Sequence, residues 1–415
     1  MAGLKFCPFS LKQIMVLSWW CESSPVKDKD GIIADGAIRS GKTVAMSLSF
    51  IFWAMENFNN MNFAMCGKTI SSFKRNVLSF LLSMLETRGY SVKYKYSENI
   101  LNVSRKGKVN SFYVFGGRDE SSASLIQGMT LAGVLFDEVA LMPESFVQQA
   151  TARCSVDGSK FWFNCNPENP HHWFNENWIK DTTKNLIYLH FTMDDNLSLS
   201  EKTKARYRNM YSGVFYERFI LGLWRSADGL VYDMFSEENN TITLPDEKEL
   251  ISSAYISCDY GTHNPTVFLM WRKYHNKWLL VKEYYYNSCE HGFQKTDSEY
   301  ADDLIDFIGD TPYQCVIVDP SAASFITVLM NRGIKVLKAD NSVIDGIRAV
   351  GAKLKAGQLL INKECVNTIT EFNLYRWDSK AAEYGEDKPI KQDDHAMDAV
   401  RYFVSTVIRR IVEGR

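Results

Sequence analysis

Residues 36–43, GAIRSGKT, have the glycine, lysine and threonine spacing of a phosphate-binding loop. Glycines in such a loop let backbone N–H groups close around phosphate, and a lysine at position 42 brings positive charge to the β- and γ-phosphate oxygens. The hydroxyl of Thr43 suits Mg²⁺. We therefore predict that ATP and Mg²⁺ bind at Gly36, Arg39, Ser40, Gly41, Lys42 and Thr43.

The segment GVLFDE, residues 133–138, supplies the carboxylates that hydrolysis of a nucleoside triphosphate requires. Asp137 directly follows an apolar run and suits the metal shell, while Glu138 suits the base that polarises the attacking water. A positive charge near the γ-phosphate is also expected. Arg39 could supply it within the chain, whereas Arg118 and Arg153 could act on a neighbouring subunit or be ordinary surface residues.

Two asparagines follow a predicted strand in KFWFNCNPENPHHW. Asn164 and Asn166 would lie at the carboxyl end of this strand, which is the edge where α/β proteins bind ligands. We predict that they couple the γ-phosphate to the rest of the protein. A turn built from Asn-Pro pairs is the simpler alternative.

Three aspartates in the second half of the sequence could form a metal site. Asp259 and Asp319 end predicted strands, and Asp398 lies in a predicted final helix with His395 one turn before it. Carboxylates are the ligands that Mg²⁺ and Mn²⁺ prefer, and two such ions can activate water against a phosphodiester. Aspartates that merely cap turns are the alternative.

The elements that must position these residues are typical of α/β folds. Short apolar runs at residues 31–34, 63–66, 111–115, 133–136 and 160–163 predict buried parallel strands. After a polar, turn-rich stretch at 226–252, strands are predicted at 254–258, 266–271, 278–286 and 314–318, with a hairpin turn at 261–265 and helices at 296–308 and 393–409. We predict an ATPase domain at 1–225, a linker at 226–252 and a ribonuclease H-like domain at 253–415.

The composition of the chain sets limits on its function. With 415 residues, 46% hydrophobic and 23% charged, the chain is long enough for two or three ordinary folded domains. The net charge of −2 excludes a globally basic nucleic-acid coat. Nine scattered cysteines without a CxxC pair argue against a disulfide framework, so we expect a soluble cytoplasmic protein with no membrane association.

One stretch is locally basic. Residues 68–108 contain nine Lys or Arg side chains against Glu86 and Glu98, a local charge of +7, with tyrosines and a phenylalanine interleaved. This pattern suits contact with a DNA backbone, and a solvated helix and hairpin would explain it equally well.

Together these motifs resemble the large subunit of tailed-bacteriophage terminases. Besides GAIRSGKT and VLFDEV, the resemblance rests on six segments that extend along nearly the whole chain in a specific order. They are NCNPENPHHWF, DNLSLSEKTKARYRNMYSGVFYERFILGLW, DGLVYDMF, SCDYG, VIVDPSA and DDHAMDAVRYF.

The resemblance implies a RecA-like ATPase that drives double-stranded DNA into a procapsid and a ribonuclease H-like endonuclease that cuts concatemeric DNA. It assigns nuclease metal binding and catalysis to Asp259, Asp319 and Asp398, with His395 in support. Gln13 looks like the adenine-recognising glutamine of the family. The resemblance further implies a portal protein and a small terminase subunit as partners, a homo-oligomeric ring, and a place in the host cytoplasm and at the portal vertex.

The sequence departs from the family pattern at one position. Many relatives have an arginine shortly before the DE pair, where this chain has Gln127. The identity of any trans-acting arginine therefore stays open. Two other functions are compatible with the motifs, namely a helicase or repair ATPase with an appended nuclease and a non-enzymatic scaffold.

Overall fold

The computed structural model describes residues 8–261, 265–288 and 292–412. They form two compact units, each built around its own β-sheet. The first unit runs to Arg208 and includes Tyr216–Ser226, and the second comprises Asn209–Phe215 and the chain from Ala227 onward. Both units mix helices with strands, so the predicted α/β class is confirmed.

The sheet of the first unit has eight strands in the order β3-β4-β5-β2-β6-β7-β1-β8. Strands β2, β6, β7, β1 and β8 pair in parallel, and β5 pairs in parallel with β2, while β3 and β4 extend the sheet in antiparallel fashion. The apolar runs in the sequence become its buried centre. The strands are β1 Gly31–Gly36, β2 Asn62–Gly67, β3 Ser91–Lys95, β4 Ile100–Arg105, β5 Lys108–Gly116, β6 Gly133–Asp137, β7 Lys160–Asn164 and β8 Leu186–Phe191.

The sheet of the second unit has seven strands in the order β14-β13-β10-β11-β12-β15-β9. Strands β10, β11 and β12 are antiparallel, as the sequence predicts, and β13 joins β10 in parallel. Residues 262–264 of the predicted hairpin turn lie outside the described residues. The strands are β9 Thr241–Ile242, β10 Leu250–Asp259, β11 Thr266–Tyr274, β12 Lys277–Tyr286, β13 Tyr313–Val318, β14 Val336–Lys338 and β15 Leu359–Asn362.

Of residues 226–252, which the sequence predicts as a linker, those from Ala227 onward group with the second unit. They include β9, whose two residues pair with β15, and the beginning of β10. A strand of two residues has no detectable hydrophobic periodicity, so the sequence does not predict it. It forms by pairing with a partner strand more than a hundred residues later in the chain.

The helices pack on the faces of the two sheets. Those of the described residues are α1 Leu11–Ser18, α2 Lys42–Asn57, α3 Ile70–Phe73, α4 Ser79–Glu86, α5 Glu144–Ala152, α6 Glu201–Met210, α7 Gly213–Tyr216, α8 Glu237–Asn240, α9 Asp297–Ile308, α10 Ala323–Asn331, α11 Val343–Lys355, α12 Val366–Leu374, α13 Ser379–Glu383 and α14 His395–Phe403. Segments Lys74–Leu78, Asn175–Ile179, Glu217–Leu221 and Val404–Val412 are π-helical, and Glu120–Ile126, Val139–Leu141, Met193–Asp195 and Glu247–Glu249 are 3₁₀ turns.

Aromatic residues hold α2 against the first sheet. Trp53 of α2 and Trp162 of β7 are fully buried with ring centroids 4.8 Å apart, and Phe50 lies 5.2 Å from Trp162. Large buried rings contribute much of the hydrophobic stabilisation of a core. Because α2 begins at Lys42, this packing fixes the end of the phosphate-binding loop relative to the sheet.

In the second unit, α14 packs across β10 and β11. Phe403 stacks on Trp271 of β11 with centroids 4.5 Å apart and planes 2° from parallel. The same helix therefore carries Asp398 and His395 past the end of β10, where Asp259 lies.

No helix among the described ranges has the length and apolar character that crossing a bilayer demands. Seven of the cysteines are described, all as free thiols, while Cys7 and Cys289 lie outside the described residues.

The close approach of β1 to β8 generates a stability prediction. Gly36 has a φ of +121°, and a Cβ there would lie 2.0 Å from the carbonyl oxygen of Phe191. Gly89 also has positive φ, +78°, but a Cβ there would meet no described atom within 4 Å. We expect Gly89→Ala to cost about 1 to 2 kcal/mol and Gly36→Ala about 3 kcal/mol or more, since only the second adds a backbone clash. Thermal unfolding of both variants measures the difference, and equal losses would contradict a tight strand contact at Gly36.

Candidate nucleotide and carboxylate sites

The phosphate-binding loop connects β1 to α2 and has an unusual backbone. Gly36 and Gly41 have positive φ angles of 121° and 86°, and Arg39 between them has a φ of 59°. Left-handed conformations are strained for residues other than glycine and concentrate at functional sites. Successive N–H groups in a backbone of this kind can form an anion-binding concavity.

Lys42 is buried at the start of α2 and points back into the loop. Its ammonium donates to the carbonyl oxygens of Gly36 at 3.0 Å and Ala37 at 2.8 Å, and to Asn166 Oδ1 at 3.3 Å. Burial lowers the pKa of Lys42 to about 8. The ammonium of Lys42 is already out of water. Its hydrogen bonds to phosphate oxygens would therefore cost little further desolvation free energy.

Three predicted residues from different elements meet beside the loop. Asn164 Nδ2 donates to Asp137 Oδ1 at 2.5 Å and to Thr43 Oγ1 at 2.9 Å, and Thr43 Oγ1 donates to Asp137 at 3.1 Å. The carboxyl ends of β6 and β7 lie side by side in the sheet, so the structure brings these residues together as the strand order requires.

The residues of this triad fit a divalent cation. Burial, followed by the adjacent charge of Glu138, raises the pKa of Asp137 to about 6. Asn164 Oδ1 is buried and finds no hydrogen-bond partner among the described residues. A carboxylate, a hydroxyl and an unsatisfied amide oxygen form the hard oxygen environment that Mg²⁺ prefers.

Glu138 follows Asp137 into the same cleft. Its φ of 60° places it in the left-handed region, which turns its side chain away from the direction of the strand. Burial raises the pKa of Glu138, and the charges of Arg75 and Lys42 partly offset that rise. A carboxylate of raised basicity at this place suits a proton acceptor.

The cleft itself has a volume of about 540 Å³. Its lining combines the loop with residues that the sequence analysis missed, among them Arg75 and Asn76 of the π-helical turn Lys74–Leu78 and Asn196 after β8. Irregular π-helical turns often occur at functional sites. The π-helical turn is visible only in the structure, and no pattern in the sequence distinguishes Arg75 from its basic neighbours.

The predicted arginines separate into two groups. Arg39 lines the cleft, with its guanidinium 5.5 Å from the ring centroid of Tyr207. Arg118 and Arg153 are not among the described residues that line it. A role for either of them on a neighbouring subunit stays a prediction.

Gln13 is buried next to the loop, but it is not among the described residues that line the cleft. Its carboxamide oxygen accepts from the backbone N–H of Ser10 at 3.0 Å in a capping box of α1, and a Cβ on Gly41 would lie 2.2 Å from its Nε2. Gln13 therefore lies against Gly41, and adenine recognition stays a prediction.

In the second unit, a polar cavity of about 240 Å³ lies where β10 ends beside the start of α14. His395 Nδ1 lies 3.0 Å from Asp259 Oδ2, and Asp398 is one helical turn further on. Burial raises the pKa of Asp259, and the hydrogen bond with His395 limits that rise. The structure therefore brings Asp259, His395 and Asp398 to one cavity.

Asp319 is not among the described residues that line this cavity. Its carboxylate accepts from the Ser321 N–H at 2.7 Å, from the Tyr402 hydroxyl at 2.9 Å and from Asn341 at 3.3 Å. Burial alone would raise the pKa of Asp319, but these three hydrogen bonds lower it. Within the described ranges, no three His, Cys, Asp or Glu side chains are grouped closely enough to hold a metal ion. Convergence of all three predicted aspartates stays a prediction.

Two basic side chains form ion pairs with carboxylates of the cavity. Lys391 Nζ lies 3.3 Å from Asp394 Oδ2 and 3.6 Å from Asp398 Oδ2, and Arg401 Nη2 lies 2.7 Å from Asp398 Oδ1. The carboxylates of Asp259, Asp394 and Asp398 in the cavity lining are oxygen donors of the kind that Mg²⁺ or Mn²⁺ prefers. Lys391 and Asp394 were not among the predicted site residues, although Asp394 shares the helical face of Asp398 in the sequence.

Comparison with known proteins shows similarity to large terminases of bacteriophages. The family model for the T4likevirus-type terminase large subunit, N-terminal, matches residues 33–239. The large terminase of a thermophilic bacteriophage is 56% identical, with a TM-score of 0.88 over 97% of this chain and 100% of that one. The complex of that terminase with ATP-gamma-S is 55% identical, with a TM-score of 0.83 over 97% and 100%.

A more distant curated relative is the large terminase subunit of Escherichia phage T5, which is 24% identical over 296 residues. That match spans 66% of this chain and 65% of the T5 protein. Since the terminase of the thermophilic phage is well over half identical and is covered from end to end, the chain belongs to the family of bacteriophage large terminases.

Proposed function

We propose that this chain is the catalytic subunit of a phage DNA-packaging motor, with ATP hydrolysis in the first unit and DNA cleavage in the second. The observation that carries the ATPase assignment is the hydrogen-bonded triad of Thr43, Asp137 and Asn164 beside Lys42. The relative from the thermophilic phage, with its bound ATP-gamma-S, supports the same assignment. Family membership favours this function over a helicase-like enzyme or a scaffold.

In the first unit, the residues of the chain would act directly on ATP. Lys42 shifts its hydrogen bonds from the loop carbonyls to the β- and γ-phosphate oxygens, where it stabilises the developing negative charge. Glu138 accepts a proton from the water that attacks the γ-phosphorus, and the bond to the bridging oxygen of ADP breaks. Mg²⁺, held by Thr43 and Asp137, would supply further charge stabilisation.

Coupling to motion would begin at the end of β7. Asn166 Oδ1 accepts a hydrogen bond from the ammonium of Lys42, and Asn164 Nδ2 donates one to the carboxylate of Asp137. When the partners of Lys42 change, Asn166 loses or regains a hydrogen bond, so the segment after β7 responds to the γ-phosphate. We assign both asparagines to this coupling role.

In the second unit, Asp259 and Asp398 would hold the divalent cation, and Asp319 would join them from the end of β13. A bound Mg²⁺ or Mn²⁺ would supply an activated water and stabilise the leaving oxygen. His395 holds Asp259 in place through their hydrogen bond. The product of this site would be a cut in concatemeric double-stranded DNA.

The partners follow from the same assignment. Double-stranded DNA would contact basic surfaces such as the edge strand β3, on which Lys93 and Lys95 are exposed. We further propose a ring of copies on the portal protein, a small terminase subunit as partner, and action in the host cytoplasm at the portal vertex.

Replacement of Lys42 by methionine tests the ATPase assignment. Methionine keeps most of the buried hydrocarbon but removes the charge, so we expect ATP turnover to fall about 100- to 1,000-fold. Metal-dependent cleavage of plasmid DNA should persist, because it belongs to the other unit. Steady-state phosphate release measures the first effect, and turnover close to that of the parent protein would refute the role of the loop.

Asp319→Asn tests whether the third carboxylate takes part in cleavage. If it holds metal with Asp259 and Asp398, cleavage should fall at least about 100-fold while ATP turnover is unchanged. Asp310→Asn, at an exposed position in the same unit, is the control. Normal cleavage by the Asp319 variant would restrict the site to the residues that line the cavity.

A further inference from the structure

The start of α14 is capped by a side chain from another helix. The first N–H groups of a helix lack intrahelical partners, and normally the residue just before the helix accepts from them. Asp394 occupies that place, yet its side chain makes no capping hydrogen bond within the described residues. Instead, Glu371 Oε2 accepts from the N–H of Ala396 at 2.7 Å and from that of Met397 at 3.2 Å.

Glu371 is well suited to this task. It belongs to α12, is only 4% exposed, and its other carboxylate oxygen accepts from the Tyr285 hydroxyl of β12 at 2.9 Å. A buried carboxylate is costly unless it is fully hydrogen-bonded, and here both oxygens have partners. One side chain thus joins α12, β12 and the start of α14.

This arrangement has a consequence for the carboxylate cavity. Because Glu371 caps the helix, the Asp394 carboxylate lines the cavity and meets Lys391. The capped turn also carries His395 and leads directly to Asp398. Small rotations of this turn would move the carboxylates of Asp394 and Asp398 and the imidazole of His395 relative to Asp259.

We propose that Glu371 is a positioning residue for the nuclease site, which fixes the first turn of α14 so that His395, Asp394 and Asp398 face Asp259. The proposal rests on the nuclease function proposed above. Partner groups behind metal ligands typically change metal affinity about 10- to 100-fold when they are removed.

The chain contains a matched control. Glu283 of β12 caps α12 in the same manner, since its carboxylate accepts from the N–H groups of Asn367 and Thr368, both at 2.9 Å. The first turn of α12 carries no residue of the cavity. Glu371 lies in the second turn of α12, so loss of the Glu283 cap should fray the first turn and destabilise the second unit without turning α14.

The test compares Glu371→Ala, Glu371→Gln and Glu283→Ala in the full chain. We expect Glu371→Ala to weaken Mn²⁺ binding, measured by calorimetry without DNA, at least about 10-fold. Glutamine keeps an oxygen that can accept from the N–H groups of Ala396 and Met397, so Glu371→Gln should bind Mn²⁺ within about 3-fold of the parent protein. Glu283→Ala should lower the melting temperature similarly but keep Mn²⁺ affinity.

Equal loss of Mn²⁺ affinity in Glu371→Ala and Glu283→Ala, or no rescue by glutamine, would overturn the proposal. Glu371→Asp, which keeps the charge but is one methylene shorter, replaces the alanine variant if that one does not fold.

Amide hydrogen exchange of residues 394–403 tests the Glu371 cap separately from the nuclease function. If the parent protein binds no Mn²⁺ but exchange at these residues rises only in the Glu371 variants, the cap is upheld and the nuclease function is refuted. If exchange is unchanged, the cap itself is refuted.

Discussion

A set of hydrogen bonds between Thr43, Asp137 and Asn164 connects the phosphate-binding loop to the ends of two adjacent strands, β6 and β7. Parallel strands present their carboxyl ends at one edge of a sheet, so residues more than a hundred positions apart meet there. The packing of α2 on β7 keeps Lys42 at the same edge. The triad thus keeps Asp137 beside the loop residues that would bind phosphate, and the ATPase chemistry depends on this contact.

Burial has a similar effect at both sites. Asp137, Glu138 and Asp259 lie in surroundings that raise their pKa values above ordinary carboxylate values. Clustered carboxylates out of water are unfavourable by themselves, and positive charge is what makes such clusters stable. Lys42 and Arg75 supply it in the first unit, while Lys391 and Arg401 supply it in the second. Electrostatics thus favours both sites as places for cationic partners and for chemistry on phosphate.

The two units differ in how they hold their acidic residues. In the first unit, strand ends and a strained backbone at Glu138 do so, and the helix that follows is short. In the second unit, one long element carries His395 and Asp398, and its direction depends on contacts at both ends. Stacking of Phe403 on Trp271 fixes the far end, and the hydrogen bonds to Glu371 hold the near end. Site geometry in this unit is therefore a property of helix placement.

The sequence by itself determined the α/β class, the order of the main strands and the residue types at both sites. Local patterns carry this information, because apolar runs and the GAIRSGKT spacing are properties of neighbouring residues. Tertiary structure alone decided that Thr241–Ile242 joins the second sheet, that Arg75 lines the nucleotide cleft, that Tyr402 and Asn341 donate to Asp319, and that Glu371 caps α14. Each of these depends on contacts between distant segments, and such contacts leave no periodicity or spacing in the chain because they form only when the sheets and helices pack.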